Sequence, residues 1–182
     1  MVSLSYDIRY PVKRPPHLSR MSMISILVFA PDDEIRQLLQ QPEGIHDFLD
    51  EERTSTDLDK AWHGIHWLLT GSADGGDEPL CYLLAGGEQV GDVDVGYGPA
   101  RALTSQQVAR WHDALTRISR EQLAKRFDPK AMLDADIYPQ IWDRSIDGEE
   151  DTLDYLLQAY AGLQDFVAAA KREHSGLLVY LS

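Results

Sequence analysis

Residues 149–181 read EEDTLDYLLQAYAGLQDFVAAAKREHSGLLVYL, and the class of the fold turns on them. Leu153, Leu156, Leu157, Tyr160, Leu163, Val167 and Ala170 recur with the 3.6-residue period of a helix that lays one face on a core. The charges agree: Glu149, Glu150 and Asp151 open the segment, while Lys171, Arg172 and His174 close it, each sign where the backbone dipole favours it. Gly176 ends the periodicity, and Leu177 to Leu181 form an apolar run too short for a helix. A helix from about Glu149 to Arg172 followed by a short buried strand is the prediction.

Working outward, a second continuous apolar run stands near the other end, Met23 to Ala30, ended by Pro31; it too reads as a buried strand. Helices fill most of the interval. Asp32 or Asp33 is placed to cap one through about Gln41, and a short one spans Gly44 to Glu51. The stripe Leu58, Ala61, Trp62, Ile65, Leu68 and Leu69 predicts a helix from Asp57 to Leu69, stopped at Gly71. Ser72 to Asp77 reads as a loop, Pro79 to Leu84 as a helical turn, and Val90 to Leu103, with Gly91, Gly96, Gly98 and Pro99, as irregular strands around a tight bend. Thr104 caps a further helix, Ser119 with Gln122 makes a capping box, and Asp128-Pro129 pairs a cap with a first-turn proline. No repeat or long linker divides the chain. The expectation is one α+β domain, mostly helical, with a small sheet built from few short strands.

Composition narrows the function. In 182 residues there are 30 acidic and 17 basic side chains, a net charge of -13 that repels nucleic acid. The first 20 residues hold Arg9, Lys13, Arg14 and Arg20 against Asp7, so the remainder is more acidic still. Residues 61–100 contain Asp74, Asp77, Glu78, Glu88, Asp92 and Asp94 and no Lys or Arg, whereas 101–130 hold seven basic residues and three acidic ones. Such segregation either cancels within the fold or presents a polarised surface that steers a basic partner. The apolar run from Met21 to Ala30 is too short to cross a bilayer. Basic residues ahead of it and Val28-Phe29-Ala30 at its end sketch a secretory leader, but Pro11, Pro15 and Pro16 and the brevity of the apolar part weigh against one. The lone cysteine, Cys81, lies in an apolar run and reads as a small buried hydrophobe.

Asp57-Leu58-Asp59-Lys60-Ala61-Trp62-His63-Gly64-Ile65-His66-Trp67-Leu68-Leu69-Thr70-Gly71 resembles the signature of the YfbM-like proteins, a bacterial family that forms a domain of unknown function. The resemblance continues in Pro79-Leu80, in Gly96-Tyr97-Gly98-Pro99-Ala100-Arg101, in Asp136-Ile137-Tyr138-Pro139 and in the carboxy-terminal helix and strand. It covers residues 21–182, with residues 1–20 as an extension outside it. What it implies is a small cytoplasmic α+β domain; it implies no activity and assigns no catalytic residue.

Local catalytic motifs are absent: no G-x-S-x-G, Walker, H-E-x-x-H or G-x-G-x-x-G pattern occurs. Asp59, His63 and His66, at i, i+4 and i+7 of the predicted helix, would share one face, a set able to hold a metal or to pair a carboxylate with an imidazole base. The plainer reading makes His66 a core-edge residue hydrogen-bonded to the chain, Asp59 a helix-end support and His63 a solvated side chain. Asp92-Val93-Asp94-Val95-Gly96 lacks the later oxygens of a calcium loop and reads as a strand with one wet face. Tyr97, Arg101, Tyr138 and Trp142, on Gly- and Pro-rich segments, either line a pocket or lock loops through hydrogen bonds to free carbonyls. No catalytic residue, metal or cofactor is assigned, and neither nucleic acid nor membrane is an expected partner. The leading expectation is an acidic protein-binding domain with a basic partner, an immunity-type inhibitor of a basic toxin or effector being the particular case. The alternative is an enzyme or small-ligand-binding protein with its pocket around Asp59, His63, His66, Tyr97 and Arg101.

Overall fold

The computed structural model describes residues 22–146 and 150–182. In chain order the elements are β1 (Ser25–Ala30), α1 (Asp32–Gln40), α2 (Ile45–Asp50), β2 (Ser55–Asp57), α3 (Trp62–Thr70), β3 (Glu88–Asp94), β4 (Pro99–Leu103), α4 (Ser105–Leu115), α5 (Arg120–Ala124), α6 (Pro129–Asp134), β5 (Ser145–Ile146), β6 (Glu150–Asp151), α7 (Thr152–Arg172) and β7 (Gly176–Leu181). Single 3-10 turns, Pro42–Gly44 and Asp59–Ala61, lead into α2 and α3.

The two apolar runs that bracket the chain meet at the centre. β1 and β7 pair antiparallel from Ser25 opposite Leu181 to Ala30 opposite Gly176, and the sheet order is β2-β1-β7-β4-β3. All of its neighbouring pairs are antiparallel, as hairpin-like returns allow. Strand alternation then sorts the side chains onto two faces. Leu27, Phe29, Leu103, Leu177 and Val179 pack under α3, α4 and α7, while Val28, Ala30, Ala100, Ala102 and Leu178 meet Ile35 and Leu38 of α1 and Ile45 and Phe48 of α2. Both faces are covered, which is why β1 and β7 are apolar almost throughout rather than alternating. Gly176 permits the close approach where β7 starts: a Cβ there would lie 2.5 Å from Ile35 Cδ1 and from the Leu103 carbonyl oxygen.

The α+β class therefore holds, with seven α-helices among the described residues and a sheet of five strands, larger than expected. Local signals perform well. Capping boxes form at Thr104/Gln107 and Ser119/Gln122, and Asp128 and Asp151 cap α6 and α7. Each such cap contributes about 1 kcal/mol. Cys81 is buried, and β3 and β4 form an irregular hairpin closed by Val95 N–H to the Gly98 carbonyl.

Two expectations are corrected. The helix predicted from Asp57 starts at Trp62, because Ser55–Asp57 is drawn into the sheet as an edge strand on β1. Neither Asp32 nor Asp33 caps α1; Asp32 instead accepts from the Ser105 N–H at 2.7 Å and its hydroxyl at 2.6 Å, tying the starts of α1 and α4 together. The apolar run expected to be a buried strand is one: β1 is an interior strand of the sheet, between β2 and β7. Among the described residues no helix is long and apolar enough to cross a membrane.

Candidate functional site

The start of α3 and the turn after α6 form one wall of an open cleft of about 450 Å3, lined by Met23, Trp62, His63, Tyr97, Asp136, Tyr138, Pro139 and Gln140. Trp62 is its floor. Its indole donates to the Met23 carbonyl at 3.1 Å, and its ring stacks between His63 (centroids 4.8 Å apart) and Tyr138 (6.0 Å). Tyr138 closes the ring of contacts, since its hydroxyl accepts from the Met23 N–H. Pro139 follows through a cis peptide bond, and Asp136 and Gln140 flank the turn with positive φ, 55° and 62°. Non-glycine residues held there cost free energy, and such positions concentrate at binding sites. The Gln140 amide donates to the Asp136 carboxylate at 2.7 Å, so the exposed carboxylate is held at the rim of an aromatic bowl.

His63 is not the solvated residue of the plainer expectation. Nδ1 accepts from the Tyr138 N–H at 3.0 Å and Nε2 lies 2.9 Å from the Ala73 carbonyl, so the ring is a neutral imidazole with its proton on Nε2. Burial lowers its pKa below the ordinary histidine value, with the Ala73 bond only partly offsetting that. Both nitrogens are spent on joining the Ser72–Asp77 loop to the turn at Tyr138, leaving none to ligate a metal or accept a substrate proton.

The triad of Asp59, His63 and His66 dissolves. Asp59 sits in the 3-10 turn with φ 44°, ahead of the helix, and its carboxylate accepts from the Tyr155 hydroxyl at 2.8 Å. Burial and that carboxylate raise the Tyr155 pKa. His66 points into the core, 0% exposed, and neither ring nitrogen has a hydrogen-bond partner. The Gly75 backbone acts on the ring without a hydrogen bond of full geometry, and burial, only partly offset by it, pushes the pKa down to about 4. Neither Asp59 nor His66 lines the cleft. Trp142 is likewise structural: it is 1% exposed and donates to the Ile137 carbonyl at 2.7 Å. Among the described residues no group of three His, Cys, Asp or Glu is placed to hold a metal ion.

Tyr97 and Arg101 separate. Tyr97, 41% exposed, reaches the cleft and is anchored by its N–H to the Leu181 carbonyl. Arg101 lies beyond it in a smaller cavity of about 180 Å3, also walled by Tyr97, with its guanidinium donating to the Gly86 and Tyr82 carbonyls at 3.0 and 3.3 Å. Met23, Trp62, Asp136, Pro139 and Gln140 line the cleft without having been singled out as site residues from the sequence; Asp136 and Pro139 stand inside the quoted Asp136-Ile137-Tyr138-Pro139 motif, and Trp62 inside the helical stripe, where it reads as core.

The acidic segment is not neutralised by direct ion pairs with the basic one among the described residues. The six acidic side chains of residues 61–100 are all exposed. Arg101 and Arg126 contact the acidic segment through main-chain carbonyls, those of Tyr82 and Gly86 and those of Leu68 and Leu69, and Arg110 reaches the Tyr82 hydroxyl, which itself donates to Glu78. The carboxylates keep their charge facing water.

Comparison with known proteins places this architecture. Residues 21–180 match the family described as Domain of unknown function (DUF1877). The chain belongs to that family. It is 31% identical over 130 residues to Protein YfbM of Escherichia coli (strain K12), an alignment covering 66% of this chain and 75% of that protein. The crystal structure of YfbM from Escherichia coli, itself titled a protein of unknown function, superposes with a TM-score of 0.68 at 23% identity, over 87% of this chain and 99% of that one. That likeness concerns the fold: the sheet and its helices are those of the family.

Proposed function

We propose that this chain is a cytoplasmic, acidic protein-binding domain that takes a cationic side chain of a basic partner into the aromatic cleft, an inhibited basic toxin or effector being one such partner. The observation that carries the reading is the cleft itself: Tyr97 and Tyr138 line it with partly exposed aromatic faces, Asp136 supplies a carboxylate at the rim, and among the described residues no Lys or Arg lines it. A guanidinium or ammonium ion is attracted to such faces, and a neutral His63 does not oppose it. The exposed carboxylates of residues 61–100 favour encounter with the same class of partner.

The test is a titration of the whole protein with an arginine-rich peptide and with its glutamate counterpart, following the Trp62 indole and Tyr138 amide resonances. The basic peptide is expected to shift both, with affinity falling as salt rises, and Asp136→Asn is expected to weaken it about fivefold to tenfold. Equal shifts from the acidic peptide, or shifts that avoid the cleft, would sink the proposal.

A further inference from the structure

Arg101 is an anomaly of charge bookkeeping. In a chain with 30 acidic residues, no carboxylate of the described residues, side-chain or terminal, pairs with its half-buried guanidinium. Two neutral carbonyls, Gly86 and Tyr82, take one N–H each, and three of the five donors of the fork are left over. Burial pulls its pKa down to about 10, so it stays cationic at neutral pH. Around it the cavity has a mixed wall, apolar at Leu83, Leu84, Val179 and Leu181 and polar at Gln89 and Tyr180. Its volume of about 180 Å3 is several times the roughly 30 Å3 that one water occupies, which leaves room for a carboxylate and a short chain. A fixed, partly desolvated guanidinium with spare donors favours planar bidentate recognition of a carboxylate. Among the described residues no other Lys or Arg lines the cavity, so a doubly charged phosphate would be left half neutralised.

Tyr97 walls both this cavity and the aromatic cleft. The loop that carries it is pinned to the end of β7: the Tyr97 N–H donates to the Leu181 carbonyl at 3.0 Å, and a Cβ on Gly96 would lie 2.5 Å from that same oxygen. The two compartments are thus held in a fixed relation. We propose that the Arg101 cavity is a carboxylate subsite joined at Tyr97 to the cation-binding cleft, so that together they take the C-terminal residue of a basic peptide, side chain in one and carboxylate in the other. The cationic half rests on the function proposed above; the anionic half rests on Arg101 alone.

The sign of one comparison decides it. Nα-acetylarginine carries a free carboxylate and Nα-acetylargininamide does not, so the acidic field of the protein, acting alone, makes the amide the tighter ligand. A carboxylate subsite reverses the order, and the acid is expected to bind the wild-type protein at least about fivefold more tightly in an NMR titration. Arg101→Met is expected to abolish that preference, while Asp136→Asn weakens both ligands and preserves it. Equal binding, or preference for the amide, overturns the inference without touching the cleft. If neither ligand shifts the cleft resonances, the cleft reading fails instead, and benzoate, which has no cation, tests Arg101 by itself. A shift of the Arg101 Nε resonance with benzoate supports the subsite; no shift, or a larger one with inorganic phosphate, overturns the carboxylate assignment. The wild-type acid and amide comparison needs no variant to fold.

Discussion

His63 at the cleft and His66 in the core beneath it stand three residues apart on α3, yet their surroundings are opposite. The first is half-buried, stacked on Trp62, and satisfied at both nitrogens. The second is wholly buried and makes no hydrogen bond of full geometry at either, with the Gly75 backbone acting on it only weakly against burial. Burial disfavours the charged form of both, but only His63 gains structure in exchange, by joining two loops at the cleft wall. Identical side chains on one helix therefore do unlike things, and spacing along that helix does not distinguish them.

The largest expected effect lies in the core. His66 is neutral in the folded state, with a pKa near 4, while the unfolded chain takes a proton near 6.5. The Gly75 backbone and Asp74 pull the value up and His63 and Arg101 push it down, but burial dominates. The unfolded state thus binds more protons between these values: the stability is present above about pH 6.5 and is lost as pH falls through the window toward 4. The full loss is of order 3 kcal/mol. Against His66→Met, which cannot titrate, the wild-type protein should lose that amount in urea unfolding between pH 7 and 4. Parallel pH profiles for the two proteins would erase the contrast between the histidines.

Next comes the cleft wall. His63→Leu leaves the Tyr138 N–H and the Ala73 carbonyl without their partners, which is expected to cost about 2 kcal/mol and to loosen the turn at Asp136. Faster amide exchange at Tyr138 together with a lower urea midpoint would sharpen the comparison, and an unchanged exchange rate would break it.

The smallest effect belongs to the residue between them. A Cβ on Gly64 would lie 2.7 Å from Leu156 Cδ2 and Trp142 Cη2. Gly64→Ala should therefore lose about 1–2 kcal/mol, overpacking outweighing the gain in helix propensity of roughly 1 kcal/mol. A more stable variant, by thermal or urea unfolding, would show that α3 can move away from α7 without penalty.

Features that rest on neighbouring residues could be read from the chain alone. The period of α7, the box at Ser119/Gln122, the Asp128-Pro129 start and the bend before Pro99 are all local, and all are present. The failures are at places where something distant intervenes. Ser55–Asp57 has no strand-like pattern and is extended only because β1 offers an unpaired edge. That pairing delays the start of α3 to Trp62 and takes Asp59 off the face it was expected to share with His63. Asp32 looked like a cap for its own helix and serves another one 73 residues away.

The site divides along the same line. Tyr97, Tyr138 and Arg101 were legible as pocket or lock residues from their Gly- and Pro-rich settings, although nothing in the order of residues said that Tyr97 would wall two cavities. Amino-acid order determined the α+β class, the acidic surface and most helix ends, because hydrophobic period, net charge and capping act over a few residues. Only tertiary packing decided which histidine is fully buried, which carboxylate rims the cleft and which arginine goes unpaired by a carboxylate. Those outcomes depend on desolvation and on partners brought together from distant parts of the chain, and neither exists until the core has closed.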